Sequence, residues 1–155
     1  MDVYAKLEEL GVELPAAGKV LGLYAPVKLA GGLAYVSGQA PMVDGKLMFT
    51  GKVSAGNMAQ AQAAARQIAI NTLALLHEEL GDLNKIKSLV KVMAFVASER
   101  GFNEQPAVVN AYSQVFIDVF GENGRAARSA VGTNELPLDM PVEIEAIFEV
   151  KGVLE

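Results

Sequence analysis

The sequence predicts an α+β domain with two main helices on one face of a β-sheet. Three observations predict it. The proline-free stretch Gly56 to Leu80 carries Ala61, Ala65, Ile68, Thr72, Leu76 and Leu80 at helical spacing. Pro106 to Phe120 is a second helix, with Pro106 suited to its first turn and Gly121 to its end. Around both lie short β-type runs, and the closing one alternates, with Val142, Ile144, Ala146, Phe148 and Val150 on one side.

Asp2 to Leu10 opens the chain as a short helix that Gly11 ends, with Val3, Leu7 and Leu10 on one face for docking. Val20 to Gln39 then holds two β runs, VLGLYAPV and LAYVSGQ, parted by Ala30-Gly31-Gly32, a tight-turn signal. A third short strand is expected from Lys46 to Phe49, after the Asp44-Gly45 turn. Ser54 or Asn57 caps the long helix and Gly81 ends it; its alanine-rich stripe permits close approach to a sheet.

Ile86 to Ala97 reads as a long strand, apolar on both faces toward its C-terminal end, unlike a strand with one wet face. Arg125 to Thr133 and Val142 to Lys151 are the last two strands. The turn-rich Asn134 to Pro141 joins them, so they read as a closing hairpin. With no linker, repeat or low-complexity segment, one domain over 1–155 is expected, with 1–12 as an N-terminal helical extension.

At 155 residues, 52% hydrophobic and 20% charged, the chain can build a real core. Its apolar fraction also points to subunit contacts. A net charge of -5 argues against general nucleic-acid binding, which needs a basic surface, and leaves only a local patch for RNA. The absence of cysteine excludes disulfides, thiolate zinc sites and cysteine nucleophiles. The single histidine, His77, excludes motifs built on two; it lies in the last turns of a helix, where an imidazolium suits the dipole. A cytoplasmic setting is expected, since no apolar run approaches the ~18 residues of a membrane helix and no cleavable leader pattern opens the chain.

A hairpin closed at Thr133 and Val142 sets Arg128 opposite Ile147, on the helix-free side with Glu143, Glu145 and Glu149. This arrangement has two readings. One is a solvated, salt-bridged face that contributes little. The other is an anion site, in which a planar guanidinium grips a substrate carboxylate bidentately and a glutamate orients water. The small residues flanking Arg128 leave room for such a ligand.

The segments Ala126-Ala127-Arg128-Ser129-Ala130-Val131, Leu136-Pro137 and Val142-Glu143-Ile144-Glu145-Ala146-Ile147 together resemble the closing signature of the YjgF/Rid family. These are the reactive-intermediate deaminases, whose older name is endoribonuclease L-PSP. Val36-Ser37-Gly38-Gln39-Ala40-Pro41, Tyr24 upstream of it, and Val109-Asn110-Ala111-Tyr112 with Phe116 extend the resemblance over about Tyr24 to Val150.

The resemblance implies a chorismate-mutase-like fold with a mixed β-sheet. It also implies a homotrimer whose sheets turn toward a central barrel, with three ligand clefts between adjacent subunits. Burial of an apolar helix-free face that includes Met93 and Phe95 would follow.

It implies an enzyme that hydrolyses short 2-imino acids to 2-keto acids and ammonia, with no metal and no organic cofactor. Arg128 would bind the substrate carboxylate, Glu143 would hold or activate water, and Tyr24 would line the pocket and hydrogen-bond the substrate. Ser37 and Asn110 would shape the cleft. Ala130 stands where many members have cysteine and would contribute backbone to substrate binding. The helix Asp2 to Leu10, the segment Ser98 to Gln105 and Gly132-Thr133-Asn134 depart from the shortest members and mark a longer branch. Two other functions compete: a non-catalytic trimeric binder of small carboxylates, and the ribonuclease of the older name.

Overall fold

Asp2 begins the first helix by accepting a hydrogen bond from the Tyr4 amide, a cap that typically contributes about 1 kcal/mol. A computed structural model describes the chain over residues 2–152; Met1 and 153–155, at the ends of the expected domain, lie outside the described residues. The helix α1 (Val3–Glu9) buries Val3 and Leu7 and leaves Leu10 at the surface. Its Tyr4 hydroxyl accepts the Leu83 amide at 2.9 Å and meets His77 Nδ1 at 2.9 Å. The two contacts tie α1 to the turn at Leu83 and to His77. The lone histidine thus anchors α1, and it lies in the last turn of its own helix as the sequence indicates.

The run VLGLYAPV is not a strand. Residues 13–26 form neither helix nor strand, and β1 (Val27–Ala30) starts only after Pro26. Gly22 and Pro26 interrupt a run of otherwise β-type composition, because proline has no amide for a ladder. From there β1 turns tightly through Gly31 and Gly32 into β2 (Leu33–Gln39). Both glycines have positive φ, 56° and 74°, which a two-residue hairpin with native twist requires. The strand expected from Lys46 to Phe49 is shorter: β3 (Met42–Val43) and β4 (Lys46–Leu47) form a small ribbon around Asp44-Gly45. Asn71 ties this ribbon down by donating to the carbonyls of Ala40 and Met42.

Ser54 and Asn57 cap the 3₁₀ turn that leads into the long helix, which itself starts without a side-chain cap. The Ser54 hydroxyl accepts from Gly56 N, and Asn57 Oδ1 accepts from Ser54 N, over a 3₁₀ turn that leads into α2 (Met58–Leu80). Gly81 ends α2 in the left-handed conformation. The remaining elements are β5 (Ile86–Ala97), α3 (Gln105–Phe120), β6 (Ala127–Thr133) and β7 (Val142–Val150). Helices α2 and α3 lie side by side on one sheet face. The core sits beneath them, where Phe116 packs on Tyr112 and Phe148 with ring centroids 4.9 and 5.4 Å apart.

The five-stranded sheet runs β1-β2-β7-β5-β6 and is mixed: β5 and β6 are parallel and every other pair is antiparallel. The closing hairpin is therefore corrected. Strand β5 lies between β6 and β7, and α3 supplies the crossover that parallel β5 and β6 need. Strand β5 is paired on both edges, and its helix-free face carries the half-buried Met93 and Phe95.

Two features of the sheet position the chemistry-bearing side chains. Strand β6 is an edge strand lying beside α3. Strand β2 bulges: Val36 pairs with Ala146 and Gln39 with Ile144, so Ser37 and Gly38 stand against Glu145 alone.

Candidate functional site

Arg128 pairs with Val92, which pairs with Ala146 on its other side, and both neighbours are buried under the helices. Side chains of paired residues share a face, so Arg128 lies on the helix side of the sheet. The placement beside Glu143, Glu145 and Glu149 is thereby overturned, because it rested on a direct β6–β7 pairing that β5 displaces. The Arg128 guanidinium donates to Ser113 Oγ at 3.0 Å and to the Pro106 carbonyl at 3.5 Å, both on α3. Among the described residues no carboxylate forms an ion pair with it. Partial burial pulls its pKa below the ordinary arginine value, although a guanidinium stays charged.

Asn110 is exposed on α3, four residues after Pro106 and three before Ser113. Helical spacing puts all three on one face, so Asn110 flanks the two groups that hold Arg128. Ala130, two residues along β6, is half-buried and shares the Arg128 face. Together these residues form one half-site at the sheet edge. Sequence reasoning missed Ser113; its spacing of three from Asn110 on a helix was the available signal.

The other half-site is built on the β2 bulge. The Glu143 carboxyl lies over Gly38, where an added Cβ would stand 2.9 Å from Cδ and 3.0 Å from Oε1. Burial, and then the charge of Glu145, pushes the Glu143 pKa above the ordinary carboxylate value. Ser37 is committed to the chain itself: its hydroxyl donates to the Ala25 carbonyl at 2.7 Å and its amide to the Pro26 carbonyl at 3.0 Å. These bonds hold the segment that carries Tyr24, whose side chain is exposed. Ser37 and Gly38 thus lie beside Glu143 on the bulge, and Ser37 bonds the chain just after Tyr24. Glu149, by contrast, is in an exposed ion pair with Lys87 at 3.0 Å, which holds its pKa below the usual range; the solvated-face reading describes it well.

Glu143 pairs with Phe95, which pairs with Val131, so it shares the helix-free face with them. Three residues along β6 and two strand spacings separate Arg128 from that position, roughly 14 Å between Cα atoms on opposite faces. Within one chain the two half-sites do not converge on one small ligand. An open depression of about 460 Å³ on the helix-free face is lined by Tyr35, Ser37, Lys91, Met93, Glu145 and Ile147 among others, and includes neither Arg128 nor Glu143. Met93, Phe95 and Ile147 are half-buried there, and Tyr35 and Val131 are exposed.

The family described as "YjgF/chorismate_mutase-like, putative endoribonuclease" matches residues 4–149. The chain belongs to the YjgF/Rid family. Among similar proteins, TCP17 of Trypanosoma cruzi is 39% identical over 97% of this chain and 95% of its own length. The 2-iminobutanoate/2-iminopropanoate deaminase of Dermatophagoides farinae is 32% identical over 90% of this chain and 95% of its own. The crystal structure of Atu1372, a protein of unknown function from Agrobacterium tumefaciens, is 44% identical. It covers 96% of this chain and 92% of that one with a TM-score of 0.87. This YjgF/Rid chain therefore has the chorismate-mutase-like α+β fold that its motifs imply, with a mixed sheet and two main helices. Among its described residues no helix is long and apolar enough to cross a membrane.

Proposed function

We propose that the protein hydrolyses short 2-imino acids to 2-keto acids and ammonia, at a cleft that two adjacent subunits of a homotrimer complete together. The observation that carries this reading is the half-buried Arg128 guanidinium. It is pinned by Ser113 and Pro106, has no carboxylate partner among the described residues, and keeps further N–H groups for a ligand. A planar cation so held suits a bidentate carboxylate. The two half-sites on opposite sheet faces are the reason for the second subunit.

In this reading Arg128 of one subunit, flanked by Asn110 and the Ala130 backbone, binds the substrate carboxylate and fixes the imine carbon. Glu143 of the adjacent subunit takes a proton from a water as the water oxygen bonds to that carbon. Glu143 returns that proton to the nitrogen, giving a tetrahedral amino alcohol; the hydroxyl proton then passes to the nitrogen as well, and the C–N bond breaks as the keto C=O forms and ammonia leaves. Tyr24, on the segment that Ser37 bonds at Ala25, hydrogen-bonds the substrate. An imine is already electrophilic, so orientation and proton transfer meet the chemical need without a metal or organic cofactor.

The test is release of 2-keto acid from 2-iminopropanoate and bulkier imines, generated in situ by an amino-acid oxidase and read by semicarbazide trapping. Acceleration that Arg128→Ala abolishes, with assembly intact by light scattering, supports the reading. Arg128-dependent 2-keto-acid binding without turnover would make the protein a carboxylate binder. A monomer in solution would remove the shared cleft. RNA cleavage that survives Arg128→Ala would instead support the ribonuclease reading, for which the one histidine is committed to Tyr4.

A further inference from the structure

The glycine in the β2 bulge is not required by its backbone. Gly38 has no left-handed φ, unlike Gly31, Gly32 and Gly81, so an alanine meets no conformational strain there. What an added Cβ meets is Glu143, at 2.9 Å from Cδ, 3.0 Å from Oε1 and 3.1 Å from Cγ. These atoms end a flexible side chain. A methyl at position 38 therefore moves the carboxyl and leaves the sheet standing. Gly132 offers a contrast, since its Cβ would meet Gln105 Nε2 and Ser98 Oγ, which bond each other at 3.1 Å and serve the loop before α3.

The bulge explains how Gly38 comes to lie beneath Glu143. Two β2 residues oppose one β7 residue, which bends β2 and brings its backbone toward the carboxyl. Gln39 stiffens the turn by donating from Nε2 to the Ser37 carbonyl at 2.9 Å. On the other flank Ser37 holds the Tyr24 segment. We propose that Gly38 is a positioning residue, whose missing side chain seats the Glu143 carboxyl on the β2 backbone in the orientation that hydrolysis uses; this rests on the imine-hydrolase reading. The seat has two consequences. It fixes the direction from which Glu143 meets water, and it withdraws the carboxyl from solvent beside Glu145.

The test is Gly38→Ala in the full-length protein. Gly56→Ala is the control, since its Cβ would meet only Ser54 Oγ at an ordinary 3.6 Å. Two readouts are taken: kcat and KM for 2-iminopropanoate, and the titration of the Glu143 side-chain carboxyl by ¹³C NMR, assigned with Glu143→Gln. A displacement near 1 Å at a reacting group costs about 100-fold, so kcat in Gly38→Ala is expected to fall by about 10- to 100-fold, with KM within about twofold. The Glu143 titration is expected to move to lower pH as the carboxyl regains solvent, and Gly56→Ala to match wild type in both. Wild-type kcat with an unmoved titration in a folded Gly38→Ala overturns the proposal. If the wild type hydrolyses no imine, the hydrolase reading falls, and the titration alone decides the seat: a shift upholds it and none overturns it.

Discussion

Arg128 and Glu143 stand on opposite faces of the same sheet, separated by β5: Arg128 pairs with Val92, and Glu143 with Phe95 three residues further along. A reaction that uses both has to join two copies of the chain.

Mixing inactive variants tests that relationship. Arg128→Ala and Glu143→Gln are each expected to lose about 100-fold or more in kcat/KM, from a charge-assisted contact and a proton-transfer group respectively. Refolded together in equal amounts, they are expected to regain about a quarter of wild-type activity, because a cyclic assembly with shared sites then pairs two intact halves at that frequency. A mixture as inactive as its parents would place both residues in one chain's site.

Glu143 should set the acid limb of the pH profile. Burial and Glu145 raise its pKa, so the folded protein holds the proton more tightly than the unfolded chain. The stability this contributes is full below the ordinary carboxylate pKa and is lost as pH rises through the raised value. Denaturant unfolding at pH 4 and pH 7 is expected to show Glu143→Gln gaining on wild type at the higher pH. A base that must be ionised also gives activity that rises with pH, and Glu145→Gln is expected to move that rise to lower pH.

Tyr4 and His77 fasten the first helix. Tyr4→Phe removes the partner of both the Leu83 amide and His77, and is expected to destabilise by about 1–3 kcal/mol in denaturant melts. His77→Ala added to Tyr4→Phe should cost less than the sum of the two, since both remove one contact.

The legible parts of the fold are those with local signals. Ile86 to Ala97 and Leu33 to Gln39 are bounded correctly by their residue patterns, and α2 ends at Gly81 as its sequence indicates. Pairing is the part that is not legible. Asn134 to Pro141 looks like a hairpin turn, and nothing local in β6 or β7 says that β5 inserts between them. At the candidate site, motifs nominate the residues, while the face of Arg128 and its partnership with Ser113 depend on register and on a helix distant in sequence. Tyr24 falls outside any strand because Gly22 and Pro26 outweigh the β-type residues around them.

Tyr112 makes a separate prediction for the core. Its hydroxyl is fully buried and forms no hydrogen bond among the described residues; burial pushes its pKa up, with only neighbouring Thr72 pulling the other way. Thr72 gives its own hydrogen to the Ile68 carbonyl. Tyr112→Phe removes an unsatisfied group while keeping the ring packing. Its unfolding free energy is expected to equal wild type or exceed it by up to about 1 kcal/mol.

Strand β7 lies between β2 and β5, joining a hairpin made early in the chain to a strand-helix-strand unit made later. At synthesis rates of about 5–20 residues per second, the β1-β2 hairpin waits roughly 5–20 s and the β5-α3-β6 unit roughly 1–3 s before residues 142–150 emerge to join them. The two halves of the sheet are thus joined only when β7 arrives, and until then the inner edges of β2 and β5 are open to edge-to-edge aggregation.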